Sequence, residues 1–568
     1  MNKLAAVARG DYPADLVVKN ARTANLFTNT YELADVAVYG GTIAGIGEYG
    51  GRVEYDAGGR VLIPSFIDGH IHIEDTMMTP ANFADLAALH GTGTVLADPH
   101  EIANALGLPG LKWMHKASEN LPVTILYGAP SCVPASDFET PYRELGIVEV
   151  AEMFRTGLAH HLGEMMNFPA VIAGDPDAWA KILTAGNRPL TGHAPGVSGK
   201  ALNAYLSSGI NSDHECTTLD EAKEKLSRGM WLMLREGSSF HDLAKLLPAA
   251  KLCPSRCMAV SDDITATHLL NRGHMDEKLR IMLREGIDEF TALRMITLNP
   301  AEYFGINAGA IAPVRTADFA LLDVSALSED FGIVEVWKAG RLVLKDGEVY
   351  GEEAEAPAVP LRRSKVTHLP KPEGLRVRAT GEVMRVIGII PGSALTEGLR
   401  MSPLVQDGYA VADSSRDIAK IVCLERHHDT GRYGVGFVRG LGLRRGAIAS
   451  SVAHDAHNYL AAGMDDESIS TALHVLAEIG GGLVVVDGQS VIAQFALPIG
   501  GLMSTLPARE VARKLGEVEA AAKSLGSELT HPFMTLSFLG LTVIPELRIT
   551  DSGLMSVSEW GIVPIFAE

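Results

Sequence analysis

Residues 63–80, IPSFIDGHIHIEDTMMTP, contain the segment on which the interpretation of the whole chain depends. An apolar run leads into Asp68-Gly69-His70-Ile71-His72, which predicts a buried parallel strand that ends in polar groups. Residues two apart on a strand face the same way, so the imidazoles of His70 and His72 are expected to converge. Two converging imidazoles supply half of a metal site, although hydrogen-bonded core histidines explain these two residues equally well.

Residues 63–305 alternate short apolar strings with helical patterns. The strings that we interpret as strands include GTVLADPH, VTILYGA, AVIAG, RPLTGHAPG and MAVSDD. LDEAKEKLSRGMWLMLREG and DEKLRIMLREGIDEFTALRMIT have the three-to-four spacing of amphipathic helices. This alternation predicts an α/β fold, a (β/α)8 TIM-like barrel in which catalytic groups lie at the C-terminal ends of the strands.

Two β-rich regions with Gly-Gly turns flank the predicted barrel, one on each side along the chain. We therefore predict that residues 1–62 and 306–365 form one small flanking β-sandwich domain built from both sides of the barrel, residues 63–305. A segment rich in proline and charge, GEEAEAPAVPLRRSKVTHLPKPEG, is predicted to be a linker. Beyond it, residues 370–568 are predicted to form an additional C-terminal α+β domain.

Composition excludes several classes of function. The 568 residues carry a net charge of −20, which argues against a nucleic-acid partner that needs a basic surface. No run approaches the ~18 consecutive apolar residues of a membrane span, and the N-terminus lacks a secretory signal. The 5 cysteines are few and scattered, which is typical of reduced thiols. We expect a cytoplasmic protein with no membrane partner.

Side chains that bind metals or transfer protons follow the predicted strands in order. They are His70, His72, Asp98, His100, Glu101, Glu164, His193, His214, Glu215 and Asp262. Two cations that share a hydroxide need several nitrogen ligands, a bridging carboxylate and a second carboxylate beside the water. That inventory is supplied by His70, His72, Glu164, His193, His214 and Asp262. Taken singly, Glu164 and Asp262 could instead cap helices, and His193 could be a loop residue.

The D-G-H-x-H strand, the later single histidines and the aspartate after the last strand resemble the amidohydrolase superfamily of metal-dependent hydrolases. Within it, ADPHEIANALG, LGEMMNFP, TGHAPGVSGKALNAYLSSGINSDHE and SDD are similar to the bacterial-type adenine deaminases. The extra C-terminal region with SVAHDAHN points the same way. The resemblance implies hydrolysis of adenine to hypoxanthine and ammonia with two divalent metal ions, Mn²⁺ or Fe²⁺ and alternatively Zn²⁺, in a homodimer.

The resemblance also implies a place for each ligand, with one ion held by His70, His72 and Asp262, the other by His193 and His214, and Glu164 between them. Our hypothesis for the mechanism has the bridging hydroxide attack C6 of the purine while Asp262 shuttles the proton. Glu215 or Glu101 would be the second acid. Either could instead orient a ligand, as we expect for the pair His100-Glu101, and Asp98 is expected beside the metals or the substrate.

Other functions remain open at this point. The chain could deaminate guanine, a methylated purine or cytosine, or could be a cyclic amidase. A cyclic amidase is disfavoured because Glu164 stands where many superfamily members have a carboxylated lysine. A non-catalytic scaffold is a remote alternative, since such a protein is expected to have lost its ligand residues.

The C-terminal histidines raise the question of a second metal site. His427 and His428 are adjacent, and His454 and His457 could share a helix face. Asp455 is the only carboxylate near the second pair, which argues against an independent site. We expect instead that this domain packs over the barrel mouth and contributes a loop that shields the purine.

Overall fold

A parallel barrel organises the fold, which a computed structural model describes for residues 3–351, 357–358 and 366–567. Part of the predicted linker and the predicted end of the small β domain fall in residues 352–356 and 359–365, outside the described residues. The N-terminal elements are α1 (Lys3–Ala8), β1 (Ala14–Asn25), β2 (Thr30–Tyr39), β3 (Thr42–Gly47), β4 (Gly51–Asp56) and β5 (Val61–Pro64). Every helix within the described ranges is too short or too polar to cross a membrane.

The barrel strands follow directly. They are β6 (Phe66–His72), β7 (Thr92–Ala97), β8 (Thr124–Ala129), β9 (His161–Met165), β10 (Leu190–Gly192), β11 (Ser212–Asp213), β12 (Trp231–Arg235), β13 (Cys257–Val260) and β14 (Asp262–Asp263). The helices between and after them are α2 (Pro80–Leu89), α3 (His100–Ala117), α4 (Ile147–Thr156), α5 (Phe168–Ala173), α6 (Pro176–Thr184), α7 (Gly199–Leu206), α8 (Leu219–Ser227), α9 (Leu243–Ala250), α10 (Ala266–Asn271), α11 (Met275–Arg284), α12 (Glu289–Met295) and α13 (Leu298–Phe304).

The parallel strands run in chain order around the barrel, which confirms the predicted fold. Strands β6 to β10 pair each with the next, and β11, β12 and β13 form a second parallel ladder. The barrel closes where Asp262 and Asp263 of β14 pair with Ile71 and His72 of β6. This register places the last strand end directly beside the His-x-His strand.

Two assignments made from apolar strings were wrong. AVIAG, predicted as a strand, lies in helix α5, whose N-terminus is capped by the Asn167 side chain accepting from Ala170 N. LDEAKEKLSRGMWLMLREG, predicted as one helix, divides into helix α8 and strand β12. Gly229, with a φ of +83°, lies between them. Short apolar runs fit either structure, so the tertiary context decides between them.

The small β domain is completed after the barrel by β15 (Phe319–Leu322), β16 (Ile333–Lys338), β17 (Arg341–Lys345) and β18 (Glu348–Val349). Its order is β18-β17-β16-β15-β5-β1-β2-β3, with β4 also paired to β1, so hydrogen bonds join its two arms into one branched sheet. Val18 and Val36 of one arm pack with Phe319 and Trp337 of the other. Strand β5 then leads straight into β6, which anchors the entrance to the barrel.

The C-terminal region is an α+β structure. Its strands are β19 (Val377–Arg378), β20 (Met384–Ile389), β21 (Thr396–Met401), β22 (Leu404–Gln406), β23 (Tyr409–Val411), β24 (Ile418–Leu424), β25 (Tyr433–Arg439), β26 (Ala447–Ser450), β27 (Tyr459–Gly463), β28 (Gly482–Asp487), β29 (Ser490–Ala496), β30 (Leu547–Thr550), β31 (Gly553–Ser556) and β32 (Gly561–Ile562). Its helices are α14 (Asp466–Ile479), α15 (Ala508–Ser524) and α16 (Pro532–Phe538). The central eight-stranded sheet has the order β21-β20-β25-β24-β27-β26-β28-β29.

The C-terminal region packs directly on the barrel. One continuous apolar core contains Phe83 of the barrel side and Phe495 of the C-terminal sheet. Glu139, in the loop after β8, accepts a hydrogen bond from Ala456 N at 3.2 Å and another from Thr542 Oγ1 at 2.9 Å. The first contact holds the loop between β26 and β27 against the loop that follows β8. The second holds the segment after α16 against the same loop.

Arg548 ties several C-terminal segments together. The side chain is fully buried, and its guanidinium donates to the carbonyls of Ile544 and Phe538 at 2.7 Å, Ala394 at 2.6 Å and Pro545 at 2.9 Å. The carbonyls of Phe538 and Pro545 also accept the backbone N–H groups of Leu541 and Thr396, so the guanidinium matters most for the carbonyls of Ile544 and Ala394.

We expect Arg548→Met to lower the free energy of unfolding by about 3 kcal/mol, because the buried carbonyls of Ile544 and Ala394 lose a charged donor. Urea unfolding followed by circular dichroism measures the change. Arg513→Met is the control, since Arg513 is 49% exposed and pairs only with surface glutamates. The control is expected to change the free energy by less than about 0.5 kcal/mol, and equal unfolding midpoints for the two variants would contradict the assignment.

Candidate metal centre

Strand β6 presents two histidines to one point, as the alternation of a strand requires. The rings of His70 and His72 lie 4.8 Å apart, edge to face. Asp262 Oδ1 lies 3.4 Å from His70 Nε2 and 3.3 Å from His72 Nε2. Asp262 has a left-handed backbone with φ of +58°, a conformation that aspartate tolerates better than most residues, and this turn directs its carboxylate toward the histidines.

Glu164, on strand β9, lies between two pairs of histidines and presents a different oxygen to each pair. Its Oε1 lies 3.3 Å from His72 Nε2 and 3.8 Å from His70 Nε2. Its Oε2 lies 2.9 Å from His193 Nδ1 and 3.2 Å from His214 Nε2. A carboxylate in this position can hold two cations at once.

The carboxylates of this cluster are ionised in spite of their burial. Burial alone would raise the pKa of Glu164, but the His214 imidazole and hydrogen bonding with His193 hold that pKa well below its ordinary value. Burial acts in the same direction on Asp262, where contacts with His70 and His72 hold the pKa well below the usual range. In turn, contacts with Asp262 and Glu164 hold the pKa of His72 well above its ordinary value in spite of burial, so the carboxylates and imidazoles support each other's charged forms.

These residues fit a divalent metal ion. The buried His70 Nε2 makes no hydrogen bond within the described residues, although it faces the carboxylates. Ligands about 2.1 Å from a tetrahedral ion lie about 3.4 Å from each other, which is the separation of several donor pairs here. Imidazole nitrogens with carboxylate oxygens are the donors that Zn²⁺, Fe²⁺ and Mn²⁺ accept.

Asp98 supports the ligands from behind. Its backbone carbonyl lies 3.0 Å from His72 Nδ1, which directs Nε2 of that ring into the site. Its carboxylate Oδ2 accepts the backbone N–H of Glu164 at 2.6 Å. Gly163 allows this close approach, because a Cβ at that position would lie only 2.5 Å from Asp98 Oδ2.

Arg235, which the sequence analysis did not single out, links two predicted catalytic carboxylates. Its NH1 lies 2.7 Å from Glu215 Oε1 and 3.1 Å from Asp262 Oδ2. Burial would raise the pKa of Glu215, but the guanidinium lowers it to about 2. Arg235 ends strand β12, and no signal was available in a segment that was interpreted as helical.

The predicted residues converge at the barrel mouth, although not all of them face the same space. The cavity there is lined by His72, His100, Glu164, Met166, His193, His214, Glu215, Asp262 and Asp263, and by C-terminal His454, Asp455, Phe538, Leu541 and Ile544. Glu101 is not among the lining residues. Its carboxylate lies behind His100, with Oε1 3.9 Å from His454 Nδ1 and Oε2 3.7 Å from His457 Nε2.

The C-terminal lining residues could not be found from sequence, apart from the histidines. Phe538 stacks on the His454 ring at 4.8 Å and, with Leu541 and Ile544, supplies the apolar part of the cavity lining. His427 is placed differently, since its Nε2 lies 2.6 Å from the carbonyl of Ala456. Histidine–carbonyl contacts of that kind position the loop rather than bind a metal.

Comparisons with known proteins identify the family of this chain. The amidohydrolase family model matches residues 61–343, and the model of the adenine deaminase C-terminal domain matches residues 393–560. Adenine deaminase 2 of Carboxydothermus hydrogenoformans is 44% identical to this chain over 99% of both chains. The chain belongs to the adenine deaminase family, within the amidohydrolases.

Other members of the adenine deaminase family are similarly close over their full length. The adenine deaminase of Desulfatibacillum aliphaticivorans is 43% identical over 100% of this chain and 99% of that protein. That of Methanothrix thermoacetophila is 41% identical with the same coverage. The family predicted from the D-G-H-x-H strand and the later motifs is therefore confirmed.

Among solved structures, a β-aspartyl dipeptidase from Fervidobacterium islandicum AW-1 is similar over 60% of this chain and 100% of its own, with 19% identity and a TM-score of 0.46.

We expect Gly163→Ala to weaken metal binding by about 10- to 100-fold, because the new methyl group would displace the Asp98 carboxylate that positions Glu164. Metal per chain after dialysis against a graded series of chelator concentrations, measured by mass spectrometry, tests this. Gly516→Ala is the matched control, since a Cβ at Gly516 in helix α15 meets nothing within 4 Å. If both variants retained metal as well as the unaltered protein does, the support assigned to Asp98 would be wrong.

Proposed function

We propose that this protein hydrolyses adenine to hypoxanthine and ammonia at a pair of divalent metal ions. The observation that carries the proposal is its full-length likeness to adenine deaminases, at 44% identity over 99% of both chains for one of them. The geometry supports it, because the cavity combines an anionic cluster of metal-ligand types with an apolar wall. The space among these residues is about 20 Å³, enough for an ion or a water, and the adjoining cavity of about 450 Å³ has room for a heterocycle.

His70, His72 and Asp262 would hold one ion, and His193 and His214 would hold the other. Glu164 would serve both, since each of its oxygens faces one histidine pair. Mn²⁺ and Fe²⁺ are the ions that we propose, and Zn²⁺ also accepts this mixture of imidazole and carboxylate ligands. When bound, such ions supply Lewis acidity and make water acidic enough to ionise near neutral pH.

Asp262 is the proton carrier in this proposal. Its Oδ1 faces the histidines of β6 and its Oδ2 faces Arg235, so the carboxylate is fixed at the edge of the cavity. From there it can take a proton from the attacking water and pass it to the departing amine. An ionised carboxylate is needed for the first step, and the contacts with His70 and His72 favour that form against the effect of burial.

Glu215 has a different role because Arg235 keeps it ionised. In that state it accepts hydrogen bonds, and it lines the cavity beside His214, with Oε1 3.4 Å from His214 Nε2. We assign it to accept an N–H of the purine ring. A neighbouring cavity of about 450 Å³ shares Glu215 with the site and is also lined by Arg235, Leu395 and Pro545 among others.

The activity itself is tested by incubating the metal-loaded protein with adenine and following hypoxanthine by chromatography and ammonia by a coupled assay. We expect chelator-treated protein to lose activity and to regain it with Mn²⁺ or Fe²⁺, because in this proposal the bound ions make the attacking water acidic enough to ionise. Guanine, a methylated purine and cytosine serve as comparison substrates. Turnover of one of these with none of adenine would reject the substrate assignment.

We expect Asp262→Asn to lower kcat by at least about 100-fold, because the amide cannot carry the proton although it keeps the shape of the side chain. Steady-state kinetics with parallel metal analysis separates loss of proton transfer from loss of metal. Asp177→Asn, at an exposed position in helix α6, is the control for handling and purity. Near-normal turnover by Asp262→Asn with its metal retained would end the proton-carrier assignment.

A further inference from the structure

A second group of buried histidines and carboxylates lies where the C-terminal region meets the barrel. His100 and Glu101 come from the first turn of helix α3, and His454 and Asp455 come from the loop between β26 and β27. All four are buried, with at most 4% of each side chain exposed. The barrel and the C-terminal region therefore each supply one histidine and one carboxylate.

The donor atoms of this group have the spacing of metal ligands. Asp455 Oδ1 lies 3.4 Å from His100 Nε2 and 3.6 Å from His454 Nδ1. The ligand atoms of His100, His454 and Asp455 all lie within 4.8 Å of one another. Glu101 Oε1 adds a fourth donor 3.9 Å from His454 Nδ1. The shorter separations match those around Glu164 and are close to the value of about 3.4 Å for ligands on one tetrahedral ion.

The outer nitrogens of both histidines face carboxylates, which leaves their inner nitrogens free to bind. His100 Nδ1 lies 3.4 Å from Asp98 Oδ1 and 3.7 Å from Glu164 Oε1, and His454 Nε2 lies 3.5 Å from Asp75 Oδ1 without a hydrogen bond to it. A histidine ligand usually presents its second N–H to such a partner, which fixes the ring and raises its basicity. The same arrangement supports His72 in the first cluster, with a carbonyl in place of the carboxylate.

Several polar atoms of this group have no partner. Within the described residues, both carboxylate oxygens of Glu101 and Oδ2 of Asp455 are buried without a hydrogen bond. No lysine or arginine forms an ion pair with either carboxylate in the part of the chain that the structure describes. Buried carboxylates are costly unless a cation or strong hydrogen bonds compensate them.

Protonated histidines alone are a poor explanation of the cluster. Charge-assisted hydrogen bonds between nitrogen and oxygen are about 2.7–2.9 Å long, whereas the contacts here are 3.4 to 3.9 Å. His457 is not a ligand, because its Nδ1 accepts the backbone N–H of Ala453 at 3.1 Å, which leaves the proton on Nε2.

We propose that His100, His454 and Asp455, together with Glu101, hold a third divalent transition-metal ion at the junction between the barrel and the C-terminal region. Two neutral imidazoles and two carboxylates balance the charge of such an ion and match its preference in donors. The ion joins helix α3 to the loop between β26 and β27, so it fixes the C-terminal wall of the cavity. Deamination itself requires only the pair of ions around Glu164.

Metal stoichiometry tests the proposal. Chelator-stripped full-length protein is dialysed to equilibrium against increasing free Zn²⁺, and in a parallel series Mn²⁺, and metal per chain is measured by mass spectrometry. We expect three ions per chain for the unaltered protein and one fewer for the double variant His454→Gln, Asp455→Asn. His474→Gln is the control and is expected to keep all three ions, because this histidine of helix α14 bonds to the Ser470 carbonyl and to no other group in the described part of the chain.

Saturation of the unaltered protein at two ions would overturn the proposal, as would a double variant that still binds three. If the double variant does not fold, anomalous diffraction from crystals of the unaltered protein decides, since a third peak between His100 and His454 supports the site and only two peaks reject it. Adenine turnover by a protein with two ions would leave the proposed function intact while removing this site. Three ions without adenine turnover would do the reverse.

Discussion

The contact of the Glu164 carboxylate with two histidine pairs is the interaction on which the site depends. One oxygen faces the pair from β6 and the other faces His193 and His214, which belong to later strands. Parallel strands in a barrel all end at one rim, so side chains separated widely in sequence meet there. Asp98 fixes Glu164 through its backbone N–H, and Gly163 provides the space for that bond. A small shift of β9 would therefore disturb both histidine pairs together.

The density of buried charge at this rim requires a compensating cation. Each buried carboxylate would be strongly disfavoured without a partner, and contacts with imidazoles are what hold the pKa values of Glu164 and Asp262 low. Arg235 compensates Glu215 and one oxygen of Asp262, yet it leaves the remaining oxygens to the histidines. Metal ions resolve this imbalance around Glu164 most directly, and they do so with the chemistry that a hydrolase needs.

Much of this site could be predicted from the sequence because two simple rules determine it. Alternation along a strand places His70 beside His72, and the order of strands in a barrel brings Glu164 and Asp262 to them. Arg235 was missed because WLMLR satisfies helical spacing as well as that of a buried strand. Phe538 was missed for another reason, since its place depends on packing between distant segments, and no local pattern encodes such contacts.

The C-terminal region has a structural consequence for catalysis that the barrel alone cannot provide. Its loop places His454 and Asp455 against the start of helix α3, and α16 contributes Phe538, which stacks on the His454 ring and also lines the cavity. A rim built only from barrel loops would leave the carboxylates open to water, which weakens every electrostatic interaction in the site. The loop that carries His454 and Asp455 contacts buried polar groups of α3. The position of that loop is therefore coupled to strand β7, which ends just before Asp98. Closure of the cavity and positioning of the ligands are thus two effects of the same packing.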